Sequence, residues 1–303
     1  MSEPSESDTV EDMPVLPPGA GQGGPSFEVD FDGRTDPGRV RPSNEDHFHM
    51  VQFGRYLRTV GSSLPAGEAL EEVGRPGHGF VVADGIGGRA GGEVASRLAI
   101  SSLIEFALQT PDWILGGGDL QLGTAMDRFA LRFRAVNFAV LTRSVANPRL
   151  SGMGTTLSVA LTLGDDLLVA HLGDSRAYLY RGGRLHRLTR DHSAAHPVAD
   201  PGPAAAIRYR RVLTRAIGLP EPAADPDLYH YKLEDGDRLL LCTDGLTDMV
   251  DDWAIGHELG RAGTAADACR TLVELALERG GRDNVTAVVA SYRRPAGSDF
   301  PTA

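Results

Sequence analysis

Cysteine is scarce in this chain and lysine nearly absent. The 303 residues hold two cysteines, Cys242 and Cys269, far apart in sequence. That excludes a disulfide framework and a cysteine-ligated zinc site, and it makes a reducing compartment the expectation. The single lysine is Lys232, between Tyr231 and Leu233. A P-loop needs Gly-Lys-Ser/Thr, so that motif is missing. The setting of Lys232 supports neither a kinase ATP lysine nor a cofactor Schiff base. Aromatic residues make up only 6%, so the core must be mostly Val, Leu, Ile and Ala. No apolar run approaches the roughly 18 residues of a membrane span. The first residues have neither a basic n-region nor an apolar h-region, so no secretory signal is expected. Basic residues are outnumbered, 30 against 41 acidic ones, for a net charge of −11. That balance argues against a nucleic-acid binder and suits a chain whose carboxylates face metal ions.

What is present reads as an ordinary globular protein, 41% apolar and 23% charged. Residues 1–26 carry prolines, a glycine cluster and acids without one base, which reads as a disordered tail. Gly19, Gly21 and Gly24 there have dinucleotide-fingerprint spacing, but no strand precedes them and no helix follows. Residues 294–303 read as a second short tail, leaving 27–293 as the main domain.

Within that domain the pattern alternates strands with helices. Phe27, Val29 and Phe31 alternate with acids, as in a strand with one wet face. A second strand is expected from Asp46 to about Phe53, then a Gly/Pro-rich loop or insertion over 54–78, then a buried strand Gly79–Asp84. Two long helices follow. In the first, Glu93, Arg97, Ser101, Glu105 and Gln109 form a polar face, opposite Val94, Leu98, Leu103, Ile104 and Ala107. In the second, Leu122, Met126, Phe129, Phe133, Val136 and Val140 form an apolar stripe. Strands are expected at Thr155–Leu163, Leu167–Leu172, Ala177–Tyr180, Leu185–Leu188, Leu239–Thr243 and Val285–Tyr292, with a Thr264–Asp267 capping box opening a helix before the last.

The chemistry-bearing feature is a set of acids at strand ends, beside glycines or other turn residues: Glu45-Asp46, Asp84-Gly85, Asp174, Asp244-Gly245 and Asp283-Asn284. If those strands lie in facing sheets, the carboxylates converge. Like charges held so close repel and shift one another's pKa unless cations sit between them. Hard oxygen donors favour Mg²⁺ or Mn²⁺ over zinc or copper. Asp-Gly is also the commonest turn dipeptide, and Asp32-Gly33, Asp235-Gly236 and the Asp165-Asp166 hairpin read as plain turns. His47 and His49 share a strand face; the expected reading is a half-exposed pair, with Phe48 on the buried side. His171 and His192 read as packed.

Taken as motifs, the chain resembles the metal-dependent serine/threonine protein phosphatases of type 2C, in their bacterial form. The resemblance rests on Val40-Arg-Pro-Ser-Asn-Glu-Asp46, Val82-Ala-Asp-Gly-Ile-Gly-Gly88, Gly154-Thr-Thr156, His171-Leu-Gly-Asp-Ser-Arg176, Leu188-Thr-Arg-Asp-His-Ser193, Leu213-Thr-Arg-Ala-Ile-Gly218, Cys242-Thr-Asp-Gly-Leu246 and Arg282-Asp-Asn-Val-Thr286. They occur in the family's order.

The resemblance implies an α+β fold: a two-sheet antiparallel β-sandwich flanked by helix pairs, αββα in four layers, with a dinuclear metal site at one end. It implies a protein phosphatase that hydrolyses phosphoserine and phosphothreonine by attack of a water activated by two Mn²⁺ or Mg²⁺ ions, with a third ion in some members. Asp84 would bridge the metals. The Gly85 carbonyl and Glu45 would face one ion, and Asp244 and Asp283 the other. Asp174, with Asp244, would hold the third. Asp46 would orient water, and Arg41 would grip the phosphate oxygens through its guanidinium fork. Ile86 stands where some relatives carry a general-acid histidine, so the group that protonates the leaving oxygen stays open. The segment 194–212, with arginines at 208, 210 and 211, occupies the position of a flap. Phosphorylated proteins, including a cognate protein kinase, are the implied partners of a cytoplasmic monomer without nucleic acid or membrane. Two other readings remain: a non-catalytic phosphoprotein-binding regulator of the same fold, and a small-molecule phosphoesterase.

Overall fold

A computed structural model of the chain describes residues 27–54, 57–58, 72–73, 77–87, 91–109, 122–194, 212–220 and 224–295. The expected tail 1–26, most of the 54–78 loop, the arginines at 208, 210 and 211, and residues 296–303 lie outside them. Arg294, expected to begin the second tail, is held: its N–H donates to Asp235 Oδ1 at 2.6 Å and its guanidinium lies over the Phe27 ring.

Two antiparallel sheets form the centre. One joins β1 (Glu28–Asp36), β13 (Val285–Arg293), β12 (Arg238–Cys242), β9 (Arg176–Arg181) and β10 (Arg184–Arg187), in that order. The other runs β11 (Asp227–Lys232), β8 (Asp166–Leu172), β7 (Leu157–Leu163), β5 (Gly77–Ile86) and β2 (Asp46–Phe53), with β6 (Gly154–Thr155) also on β5. A separate two-stranded piece pairs β3 (Leu57–Arg58) with β4 (Glu72–Val73). Helices α1 (Gly91–Gln109) and α2 (Leu122–Ala146) cover the second sheet. Short α3 (Asp244–Thr247), α4 (Asp252–Arg261) and α5 (Ala265–Glu278) cover the first.

Strand alternation explains the layers. In β5, Phe80 and Val82 pack between the sheets while Val81 and Ala83 meet α1 and α2. In β12, Leu239 and Leu241 point inward while Leu240 and Cys242 face the outer helices. Both faces of each central strand are covered, so the strands read as continuous apolar runs. Among α2 residues, Phe129, Phe133, Val136 and Val140 are buried as the stripe predicts. Thr264 caps α5, accepting the Asp267 N–H.

Some local expectations differ. Asp32-Gly33 is no turn; it lies within β1, opposite Val289 and Val288. The Gly33 position serves space instead, since a Cβ there would stand 2.5 Å from the Phe48 ring. Helix α1 turns Gly92, Ala95, Ser96, Ala99, Ile100 and Leu103 inward, and Val94 and Leu98 stay at the flank. Small residues let the helix axis approach the sheet, which hydrophobicity alone does not reveal. Strand β11 and helix α4 had no expected counterpart; the half-buried DLYHYK pattern and the Asp251 cap mark them.

Candidate metal centre

The rows of side chains that point between the sheets change character at one end of the sandwich. Following the inward parity, Phe80 and Val82 lead to Asp84, Met50 and Phe48 to Asp46, Leu239 and Leu241 to Thr243, and Ala290 and Val288 to Thr286. An apolar core thus ends in a polar cap, and the acids lie on that cap.

Asp46 is its buried centre, 3% exposed. Its Oδ2 accepts hydrogen bonds from Thr243 Oγ1 at 2.8 Å and Thr286 Oγ1 at 2.7 Å, both from the opposite sheet. Its Oδ1 is buried without a partner. Burial pushes the Asp46 carboxyl up to about 7 against the pull of the two threonines, and the charges of Asp244 and Asp283 add to the rise. Asp84 lies directly opposite Asp46 in the β2–β5 register. Burial raises its pKa well above the usual carboxylate range, and the charges of Asp46, Asp244, Asp174 and Asp283 act in the same direction. Burial, then the charge of Asp244, raises Asp174 to about 7. Glu45 is also raised, by burial first, with Arg41 opposing and Asp283 and Glu93 adding.

Backbone contacts fix these acids. The Asp84 N–H donates to Thr156 Oγ1 at 2.9 Å, and the Asp84 carbonyl accepts from the Thr156 N–H and Thr155 Oγ1. Thr156 Oγ1 lies 2.8 Å from Ser175 Oγ, beside Asp174. Gly173, at φ +112°, makes the turn there; a Cβ would stand 2.5 Å from Thr156 Cγ2. Asn284 clamps the loop before β2: its Nδ2 donates to the carbonyls of Pro37 at 2.9 Å and Ser43 at 2.8 Å, and its Oδ1 accepts the Glu45 N–H at 2.8 Å. The start of α1 presses on the same place. A Cβ on Gly92 would fall 2.3 Å from Glu45 Oε2, and one on Gly85 would fall 2.3 Å from the Gly92 backbone. Ser96 Oγ holds the Glu45 carbonyl at 2.6 Å, and His47 Nδ1 lies 3.0 Å from that hydroxyl. His47 is therefore half-buried against α1. His171 is fully buried between Ser158 Oγ and the carbonyls of Gly173 and Arg190, and burial lowers its pKa to about 3. His192 Nδ1 accepts the Gly173 N–H.

Every acid named as a candidate ligand thus lies on or beside this cap, and their negative charges raise one another's pKa. Among the described residues, no group of three His, Cys, Asp or Glu side chains is drawn together so as to hold a metal ion as it stands. Asp283 Oδ2 is instead held by Arg41 Nη2 at 2.6 Å. The donor set still fits a hard divalent cation. It consists of carboxylates and one backbone carbonyl, it leaves Asp46 Oδ1 buried and unpaired, and its glycines admit no side chain between Glu45, Gly85 and Gly92.

The sequence profile of protein phosphatase 2C matches residues 69–281. The chain belongs to the protein phosphatase 2C family. It is 37% identical over 262 residues to the serine/threonine protein phosphatase PstP of Mycobacterium tuberculosis, covering 85% of this chain and 44% of that one. The chain thus spans less than half the length of that curated relative. It is 30% identical over 261 residues to the serine/threonine phosphatase stp of Listeria monocytogenes, covering 84% of this chain and 93% of that one. The crystal structure of the PstP catalytic domain in complex with two manganese ions superposes with a TM-score of 0.67 at 33% identity, covering 88% of this chain and all of that one. The four-layer sandwich described above is the protein phosphatase 2C fold.

Thr156, Thr243, Thr286, Asn284 and Ser96 are site residues that have no role in the sequence analysis. All but Ser96 lie inside the motifs quoted above. The inward parity of their strands is the signal that finds Thr156, Thr243 and Thr286.

Proposed function

We propose that this protein is a metal-dependent protein phosphatase that hydrolyses phosphoserine and phosphothreonine in proteins. The observation that carries the reading is the buried Asp46 Oδ1 without a hydrogen-bond partner, on the residue paired with Asp84 at the polar end of the sandwich. A buried carboxylate oxygen without a donor is costly, and a cation or an ordered water in its shell answers that cost. The manganese ions in the related PstP catalytic domain support Mn²⁺ or Mg²⁺ as the cofactor.

Asp84, Glu45 and the Gly85 carbonyl would hold one ion, Asp84, Asp244 and Asp283 a second, and Asp174 with Asp244 a third. Bound there, divalent cations lower the pKa of water and offset the charge of the phosphoryl oxygens. The chain's own residues do the rest. Asp46, fixed through Oδ2 by Thr243 and Thr286, leaves a buried Oδ1 without a protein donor, which can orient a water or hold its proton. Arg41, on the exposed rim, offers a planar fork to phosphate oxygens. Asn284 keeps the loop of Arg41 and Glu45 in register with Asp283. Ile86, 38% exposed, offers no proton at the position after Gly85, so the leaving oxygen must be protonated by another group.

In the same reading the partners are phosphorylated proteins, among them a cognate protein kinase, and the setting is a cytoplasmic monomer. No helix among the described residues is long and apolar enough to cross a membrane. The deciding experiment is Mn²⁺-dependent turnover of a phosphothreonine peptide, an aryl phosphate and a nucleotide by wild type and Asp84→Asn. Turnover of the first two by wild type alone is expected. Equal turnover by Asp84→Asn would remove the metal-bridging role, and a preference for the nucleotide would favour a small-molecule phosphoesterase.

A further inference from the structure

Arg41 and Asp283 carry opposite tasks in the reading above, one toward phosphate and the other toward a cation. In the structure they hold each other. Arg41 Nη2 donates to Asp283 Oδ2 at 2.6 Å, and the Asn284 N–H donates to Asp283 Oδ1 at 2.9 Å. Both oxygens of the carboxylate therefore have a donor, and one donor is a full positive charge. The hydrogen bond and charge of Asp283, and more weakly the charges of Asp84 and Glu45, favour the charged guanidinium there. The Arg41 and Asp283 side chains are 45% and 24% exposed, so the pair is of modest strength and can be exchanged. A second cation on Asp283 would lie beside that guanidinium, and the two would repel.

We propose that Arg41 and the divalent cation compete for Asp283, so that loading the ion frees the arginine for the substrate phosphate. The proposal rests on the metal-site reading. It makes the two ligands cooperative: the ion strengthens phosphate binding through Arg41, and phosphate, by drawing the guanidinium away, strengthens ion binding by the same factor. The site would thus hold its phosphate clamp on the ligand side chain until a cation arrives. Neighbouring Arg39 provides a built-in control. It is exposed, and its N–H and Nε donate to the carbonyls of Gly281 and Leu277 rather than to Asp283.

The test is calorimetric titration of Mn²⁺ into metal-stripped wild type, Arg41→Ala, Arg39→Ala and Asp283→Asn, each checked for folding by circular dichroism. Arg41→Ala is expected to bind Mn²⁺ about 1.5- to fivefold tighter than wild type, the range a partly exposed ion pair allows. Arg39→Ala is expected to match wild type, and Asp283→Asn to bind more weakly. Inorganic phosphate affinity is expected to rise with Mn²⁺ in wild type and to rise less in Arg41→Ala. Unchanged or weaker Mn²⁺ binding in Arg41→Ala would overturn the competition, as would equal tightening in Arg39→Ala, which would indicate a general field. An unaltered Asp283→Asn would remove the shared ligand and the proposal with it. Failure of the phosphatase reading shows separately, as wild-type protein that binds Mn²⁺ but does not turn over aryl phosphate.

Discussion

Asp46 and Asp84 face each other across the β2–β5 ladder, on the side that looks between the sheets. Directly opposed like charges destabilise a sheet. Here the pair closes the row that Phe48 and Val82 begin, and the pairing puts the repulsion at the end where the sandwich opens.

This opposition makes stability depend on pH. The folded pKa of Asp46, about 7, lies above its ordinary 3.8, so the folded state binds the proton more tightly than the unfolded one. The associated stability is present at low pH and is lost as pH rises through about 7. His171, lowered to about 3, acts in the other direction, losing stability as pH falls below its unfolded value. Asp46→Asn isolates the first effect. In chelator-treated samples the variant is expected to be more stable than wild type by about 2–4 kcal/mol at pH 8 and to differ little at pH 4. Urea unfolding at the two pH values checks this; a gain that is equal at both would contradict it.

Thr243→Val and Thr286→Val each remove a donor to Asp46 Oδ2. The donors favour the ionised carboxylate, so their loss moves the Asp46 pKa further up. The acidic limb of the pH profile for aryl phosphate turnover is expected to shift to higher pH, with a stability loss of about 1 kcal/mol for each variant. An unmoved acidic limb would take Asp46 out of the rate-determining ionisation.

Gly92→Ala tests the cradle around Glu45. The new Cβ falls 2.3 Å from Glu45 Oε2, so the carboxylate must move. Weaker Mn²⁺ binding is expected with secondary structure retained. Gly152→Ala, at φ +74° with nothing within 4 Å, is the contrast: backbone strain without an effect on metal. Calorimetry and thermal melting on both variants separate the two outcomes.

Asn284→Ala removes three hydrogen bonds that tie the β1–β2 loop to the loop before β13. At about 1 kcal/mol each, a loss of about 2–3 kcal/mol is expected. Because the clamp sets Arg41 and Glu45 relative to Asp283, KM for a phosphopeptide should rise together with the Mn²⁺ requirement. A purely structural role would leave both unchanged in the folded fraction.

Much of this was legible in the residues. The β2 span, the α2 stripe and the Thr264 cap follow from periodicity and capping chemistry, which are local. The acids at strand ends marked the candidate ligands only together with the motif series, because an Asp-Gly pair by itself is also an ordinary turn former, as at Asp235-Gly236. Other features were not legible. Asp32-Gly33 has the composition of a turn yet runs through β1, since its neighbour across the sheets, Phe48, needs the space a glycine leaves. The inner face of α1 follows close packing by small residues rather than the apolar side chains at Val94 and Leu98.

The sequence by itself determined which side chains are hard oxygen donors, which strands are covered on both faces and where the chain must turn. Those properties depend on neighbours a few positions away. Tertiary structure alone decided that Asp46 meets Thr243 and Thr286, that Asn284 clamps the Arg41 loop, and that Arg41 lies on Asp283. These partners stand 197 to 242 residues apart and meet only when two sheets stack, so no local pattern encodes the distance between them.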